Sequence, residues 1–174
     1  MPQPQIPQRL TDYAVWRNGI QFLGTADVTL PNLTALSDTF SGAGIQGEID
    51  SPSIGQYGSL VVAMTWRTLE AAAFDVHAPV VQSLDFRGNI QSLNRINGTQ
   101  DQQGIRVSVR GLPKGLDLGR LAQNSTMDSS NEIEVHYIKV VIDGFIVLEH
   151  DKLNNIHKIN GIDYRAQVRK NLGL

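Results

Sequence analysis

The chain has 174 residues, 41% of them hydrophobic and 18% charged, with a formal net charge of −2 at pH 7. That length and balance support one domain with a sizeable core and argue against disorder. The charge excludes a chain-wide basic signature for nucleic acid, and the lack of cysteine excludes disulfides, thiolate metal sites and a cysteine nucleophile.

The opening stretch MPQPQIPQRL carries three prolines and no apolar segment of the signal-peptide kind. It predicts an extended arm over residues 1–12, ahead of a single domain over 13–174. Asn18-Gly19 lies between the apolar runs Tyr13–Val15–Trp16 and Ile20–Phe22–Leu23. Asn-Gly between such runs predicts a hairpin, because both turn positions need φ > 0. Residues 28–40 read as a strand, with Pro31 marking an end, bulge or kink. Residues 41–58 are rich in Gly, Ser and Pro. That loop is longer than the roughly 2–5 residues of a compact hairpin, and long ordered loops tend to carry function. It is expected to dock onto another copy of the chain. Residues 59–66 alternate, Leu60, Val62, Met64 and Trp66 against Ser59, Val61, Ala63 and Thr65. The first set should face a core, and the segment should pair antiparallel with residues 28–40.

Residues 69–78 (LEAAAFDVHA) predict a helix stopped by Pro79, with Leu69, Ala73, Phe74 and Val76 on its packed side. Residues 80–92 predict one or two strands, and 94–104 a loop. Residues 105–110 predict a strand, with Arg106, Ser108 and Arg110 opposite Ile105, Val107 and Val109. Residues 111–130 read as irregular. Residues 132–142 and 145–149 flank Asp143-Gly144, a second two-residue hairpin turn. Glu132, Glu134 and His136 alternate with Ile133, Val135 and Tyr137, and the phase blurs from Ile138 onward, as a bulge would cause. A further turn is expected at Asn160-Gly161 and a short helix in the last eleven residues. The fold class is mainly β: an antiparallel β-sandwich or barrel with one short flanking α-helix.

Catalytic signatures are missing. Gly42 to Gly47 fits G-x-G-x-x-G, but no apolar strand precedes it and no helix can follow it, so a dinucleotide site is not expected. His77, His136, His150 and His157 have no metal-ligand spacing, and no serine lies in G-x-S-x-G. In Glu149-His150-Asp151, strand neighbours point to opposite faces, so a solvated strand end is expected. No cofactor, no metal and no enzymatic activity are expected. The sequons at Asn32, Asn97 and Asn124 read as chance matches. Arg67, Arg106 and Arg110 form a candidate basic stripe without nearby aromatic residues. With Ser108, Glu132, Glu134 and His136 they mix both signs. This set is either a solvated sheet face or the wall of a wet channel. A channel that passes nucleic acid should bind phosphate weakly, and binding grows with each uncompensated cation.

The order of these features resembles the major tail tube protein family of contractile-tailed phages, shared with the tubes of R-type pyocin-like bacteriocins. The matching features are the early N-G hairpin, the TLPNLT strand and the GAGIQG loop. The later ones are Tyr137 to Gly144, Lys158-Ile159-Asn160-Gly161-Ile162-Asp163, and the ending Arg169-Lys170-Asn171-Leu172-Gly173-Leu174. The resemblance covers nearly the whole chain. It implies a structural subunit that closes into hexameric rings, which stack into a rigid tube. The loop around Gly42, Ala43, Gly44, Ile45 and Gly47 would reach the adjacent ring. The tube would pierce an envelope and, in a phage, conduct DNA. Its partners would be further copies of itself, a sheath protein, and baseplate, tail-terminator and tape-measure proteins. Its place would be a virion tail or bacteriocin particle made in a bacterial cytoplasm, with no membrane anchoring. Two alternatives stay open: a type VI secretion-like tube protein, and a small-ligand-binding β-sandwich.

Overall fold

The structure, a computed structural model of the chain, describes residues 5–24 and 26–174. Its elements in chain order are β1 (Gln5–Arg17), β2 (Gln21–Leu23), β3 (Ala26–Thr29), β4 (Ala35–Phe40), β5 (Ile49–Tyr57), β6 (Val61–Trp66) and α1 (Ala71–His77). They continue as β7 (Gln82–Asn94), β8 (Gln100–Asp117), β9 (Ser129–Ile142), β10 (Phe145–Asp151), β11 (Ile156–Ile159), β12 (Ile162–Asp163) and α2 (Ala166–Leu172). The pairings are antiparallel, and the described residues form no closed barrel.

β9 is the axis of the main sheet. β8 pairs along one of its edges. Along the other edge, β6 takes the first half of β9 and β10 takes the second. β3 then pairs outside β6, with Val28 opposite Met64, so only the start of the expected pairing between residues 28–40 and 59–66 forms; residues 35–40 pair with β5 instead. The sheet therefore brings β6 over β7 and β8, and their inward residues meet. Leu60, Val62, Met64 and Trp66 join Leu84, Phe86, Val107, Val109, Ile133 and Val135 in one buried cluster closed by Ala73 and Val76 of α1. The buried Asn131 amide ties this layer together. It accepts from Trp66 Nε1 at 2.7 Å and donates to the Ala73 carbonyl at 3.1 Å, linking β6, β9 and α1. Without those partners a buried amide would cost about 1–3 kcal/mol.

The mainly β, antiparallel, sandwich-like fold is as expected, but several boundaries differ. Residues 28–40 split into β3 and β4 with Pro31 in the break. Half of the expected loop 41–58 is strand β5, which pairs with β4 in a separate two-stranded sheet. Pro52 is accommodated because this pair has free edges. The expected loop 94–104 shrinks to a turn, and the irregular 111–130 begins as strand, since β8 runs unbroken from Gln100 to Asp117. Its first five residues, QDQQG, carry no apolar alternation because they run beyond the core beside the outer parts of β1 and β7. Residues 5–12 of the expected arm are the first part of β1, bonded to β7, while residues 1–4 lie outside the described residues. The helix is shorter than 69–78, and Phe74 is half exposed rather than packed. A second helix, α2, ends at Gly173 with φ 71°.

The x-Gly turns fold as their chemistry requires. Asn18 and Gly19 have φ 50° and 71°, Asp143 and Gly144 51° and 81°, Asn160 and Gly161 50° and 84°. The phase blur of β9 is a real bulge. Ser129, Asn131, Ile133 and Val135 face inward, but further on Ile138 does, because His136 has no partner opposite it in β8. Val147 is a second extra residue, in β10.

Candidate functional site

The side of β7, β8, β9 and β10 away from the core is polar, and cross-strand register assembles it. Asp85 sits opposite Ser108, Arg87 opposite Arg106, Ser108 opposite Lys139, and Arg110 opposite Tyr137. Asp85, 8% exposed, is the hub. Arg106 donates to it from Nε at 3.2 Å and Nη2 at 2.7 Å, Ser108 donates from Oγ, and Arg87 lies 3.7 Å away. Burial pushes the Asp85 carboxyl up, but the bonds from Arg106 and Ser108 and the two guanidinium charges outweigh it and hold the group below the ordinary value.

A second chain of contacts crosses the same face. The Arg110 guanidinium lies 4.2 Å from the Tyr137 ring centroid, Tyr137 Oη donates to Glu149 at 3.1 Å, and Glu149 pairs with Lys158 at 3.6 Å. Burial, and then the Glu149 bond and charge, push the Tyr137 phenol up to about 12. Near the β6 branch, Glu134 accepts from Ser59 Oγ, the Leu60 amide and Lys152 Nζ. Burial raises this carboxyl, but those bonds and the Lys152 charge leave it lowered. The face thus mixes ion pairs with cations that share a carboxylate or rest on a ring: Arg87 and Arg106 both lie on Asp85, and Arg110 sits on Tyr137.

Of the residues singled out in the sequence, Arg106, Ser108, Arg110, Glu132, Glu134 and His136 do share this face. The bulge places both His136 and Tyr137 on it. Arg67 does not join the stripe. It follows β6, at the Ser129 end of β9, whereas Arg106 pairs with Val141 at the other end. Aromatic neighbours, absent along the sequence, are present in space: Tyr137 under Arg110, and Trp16 with its ring centroid 5.2 Å from Arg87. Asp85 was missed although alternation with Leu84 and Phe86 marks its face, because its partners come from another strand. Glu149-His150-Asp151 is not a solvated strand end. His150 and Asp151 are buried, and Asp151 caps the following turn by accepting from the Leu153 and Asn154 amides. No cluster of metal-ligating groups occurs among the described residues.

The second element is the β4–β5 hairpin. Its connection holds Gly42, Ala43, Gly44, Ile45 and Gly47, turned by an Ile45 amide bond to the Gly42 carbonyl at 3.0 Å. Gly44 and Gly47 have φ 91° and 105°, and no atom lies within 4 Å of a Cβ built at either. Phe40 and Ile49, a cross-strand pair beside this tip, are each about half exposed, and Leu36 and Ile54 are also exposed. From Ala35 to Tyr57 the charged residues are Asp38, Glu48 and Asp50, all acidic. The G-x-G-x-x-G run therefore sits at a hairpin tip, with no helix after it.

An apolar hairpin that projects outward is a feature of an assembling protein. The comparisons with known proteins agree. The tail tube protein of Escherichia phage P2 is 28% identical over 179 aligned positions, spanning 97% of this chain and 99% of that protein. The family model described as phage tail tube protein FII matches residues 7–173. The chain therefore belongs to the phage tail tube protein FII family, as a structural protein of the tail and not an enzyme.

Proposed function

We propose that this chain is the repeating subunit of a hollow tail tube, closing into six-membered rings that stack end to end. The observation that carries this reading is the β4–β5 hairpin. It forms a sheet of its own, exposes Leu36, Phe40, Ile49 and Ile54, and ends in a glycine-rich tip with open space around it. A monomer gains nothing from such a hairpin, since exposed apolar patches and free strand edges invite association. A neighbour that covers them removes that liability. Contacts between unlike surfaces of identical subunits propagate, giving rings where the rotation closes and filaments where it does not.

In this reading the polar face of β7 to β10 lines the channel. Asp85 pairs with Arg106 and Arg87, and Glu149 with Lys158. Each such ion pair lowers the number of counterions that passing DNA can displace, which weakens its hold on the wall. The subunit would contact the sheath on its outer surface and the baseplate, tail-terminator and tape-measure proteins at the tube's ends and lumen. The assembled tube would be the part pushed through an envelope.

Electron microscopy of the purified protein, or of particles containing it, tests this directly. Stacked rings with an axial hole, six subunits to a ring, are the expected result. A map that places Asp85 and Arg106 on the outside of the tube refutes the channel assignment. A strictly monomeric protein refutes the tube.

A further inference from the structure

The contacts that join the β4–β5 hairpin to the body gather at its root. Tyr57, the last residue of β5, packs edge-on against His150 of β10 and His157 of β11, with ring centroids 5.0 and 5.3 Å away. The two histidines are cross-strand partners whose rings meet edge-on at 5.3 Å. Tyr57 Oη lies 3.2 Å from His157 Nε2. Arg165 donates to the Ile54 carbonyl at 3.0 Å. Just above, register fails: Ala35 pairs with Tyr57 but Ser37 pairs with Pro52, so residues 53–56 bulge out and Gly55 takes φ 64°. The irregular part of the hairpin therefore lies directly beside His157 and Arg165.

These histidines are poorly provided for. His150 and His157 are 3% and 4% exposed; Nδ1 of His157 has no hydrogen-bond partner, and His150 has none of good geometry, only the Ile156 backbone nearby. A cavity of about 190 Å³ adjoins His150, with Gly55, Gln56 and Tyr57 of the hairpin as one wall and Lys152 and Arg165 on the others. We propose that the Tyr57–His150–His157 cluster is a proton-sensitive latch that holds the β4–β5 hairpin to the body and releases it in mild acid.

The charged and titratable groups around the pair decide the direction. Asp151 follows His150 on its own strand and Lys152 opens the turn after it, Tyr57 faces it from β5, and Asp163, Tyr164 and Arg165 approach His157 from β12 and the residues before α2. Asp163 favours protonation of His157 and Asp151 that of His150, but each carboxylate has other bonds: Asp163 to Arg169, Asp151 to the turn after β10. For His150, burial lowers the proton affinity most and His157 lowers it further, against the Ile156 backbone and Asp151. For His157, burial again leads, Asp163 opposes it, and Arg165 adds to it. Both histidines are thus held below the ordinary value of about 6.5.

The sign follows from linkage. The docked hairpin binds fewer protons than the released one, where water reaches both rings. Docking is therefore fully favoured above about pH 6.5 and weakens as pH falls below it, by at most about tenfold per pH unit for each histidine. The latch concerns the single subunit and does not rest on the tube reading.

The chain has no cysteine, so Ser51→Cys, in the exposed part of β5, takes one spin label cleanly. Label mobility is read on the full chain between about pH 7.5 and about pH 5.5, the range in which histidine changes charge. Mobility that rises several-fold in acid, reversibly, and stays flat in the His150→Gln/His157→Gln double variant is the expected result. Equal mobility at both pH values, or a transition that survives in the double variant, overturns the proposal. If the double variant fails to fold, imidazole proton resonances of the unsubstituted chain decide. Both buried histidines must titrate below about pH 6.5, and either one titrating at or above it overturns the latch.

Discussion

Asp85 carries more of the polar face than any residue beside it. It anchors Arg106 at two points and also accepts from Ser108, while Arg106 and Arg87 keep about half of their side-chain surface in water. Asp85→Asn removes the charge and leaves both guanidiniums uncompensated. Because those guanidiniums stay hydrated, the cost in stability should lie toward the low end of the about 1.5–3 kcal/mol that hydrogen bonds to charged groups contribute. The larger effect should be a gain in anion binding. On a heparin column the variant should elute later, and its affinity for DNA should fall with salt more steeply, by about one or two extra phosphate contacts. Unchanged elution would mean that Asp85 does not mask these arginines. In acid the carboxylate behaves the same way. Its native value is depressed, so its contribution is complete above about pH 4 and disappears as pH falls further. Alternation already put Asp85 on the polar side of its strand. It could not say that Ser108 lies across from it, because register between β7 and β8 is set by a turn at residues 95–99 that looked like a longer loop.

At the level of elements, regular periodicity was readable and interrupted periodicity was not. The inward and outward sets of β6, and the Asn-Gly and Asp-Gly turns, follow from side-chain size and φ alone. β8 was cut short in the sequence reading because Gly111, Pro113 and Gly115 look like a loop. In the structure they occupy register shifts against β9. Gly111 is there because the chains approach closely: a Cβ would stand 2.2 Å from the Glu134 carbonyl oxygen and 2.9 Å from Ile133 Cγ2. Gly111→Ala must push β8 and β9 apart, and overpacking of this kind costs about 1–3 kcal/mol. For a chain of this size the melting point should drop by roughly 2–4 °C for each kcal/mol, which calorimetry would read. The hairpin tip makes the opposite case. Gly44→Glu meets no atom within 4 Å, so only its positive φ of 91° resists the side chain, within a turn outside the core. The variant should stay folded, with its melting point lowered by about 2–4 °C for each kcal/mol of that strain, yet tubes counted by electron microscopy should be absent or short. Tubes of ordinary length would remove the tip from the stacking contact.

For the molecule as a whole, the single subunit leaves many apolar side chains uncovered, among them Phe40, Ile49 and Ile54 on the hairpin, and Ile6, Leu10 and Ile96 on the outer parts of β1 and the β7–β8 turn. Sequence reading found the first region through its glycines but took the second for an extended arm and a loop, since a strand solvated on both faces has no alternation to read. Burying such side chains against a neighbour contributes about 1.5–3 kcal/mol apiece when the burial is complete. That gain must exceed the cost of ordering the hairpin, about 1–2 kcal/mol for each backbone residue newly fixed. A hairpin already paired as β4–β5 has met most of that cost within the subunit, which favours assembly from preformed parts. Anything that binds the native state and not the unfolded one raises the unfolding temperature by mass action. The melting temperature of this chain should therefore rise with protein concentration, and the rise should flatten in Gly44→Glu, where the folded subunit remains but its end-to-end partner is lost. A melting temperature independent of concentration across the range where tubes appear would show that the exposed groups are not what assembly covers.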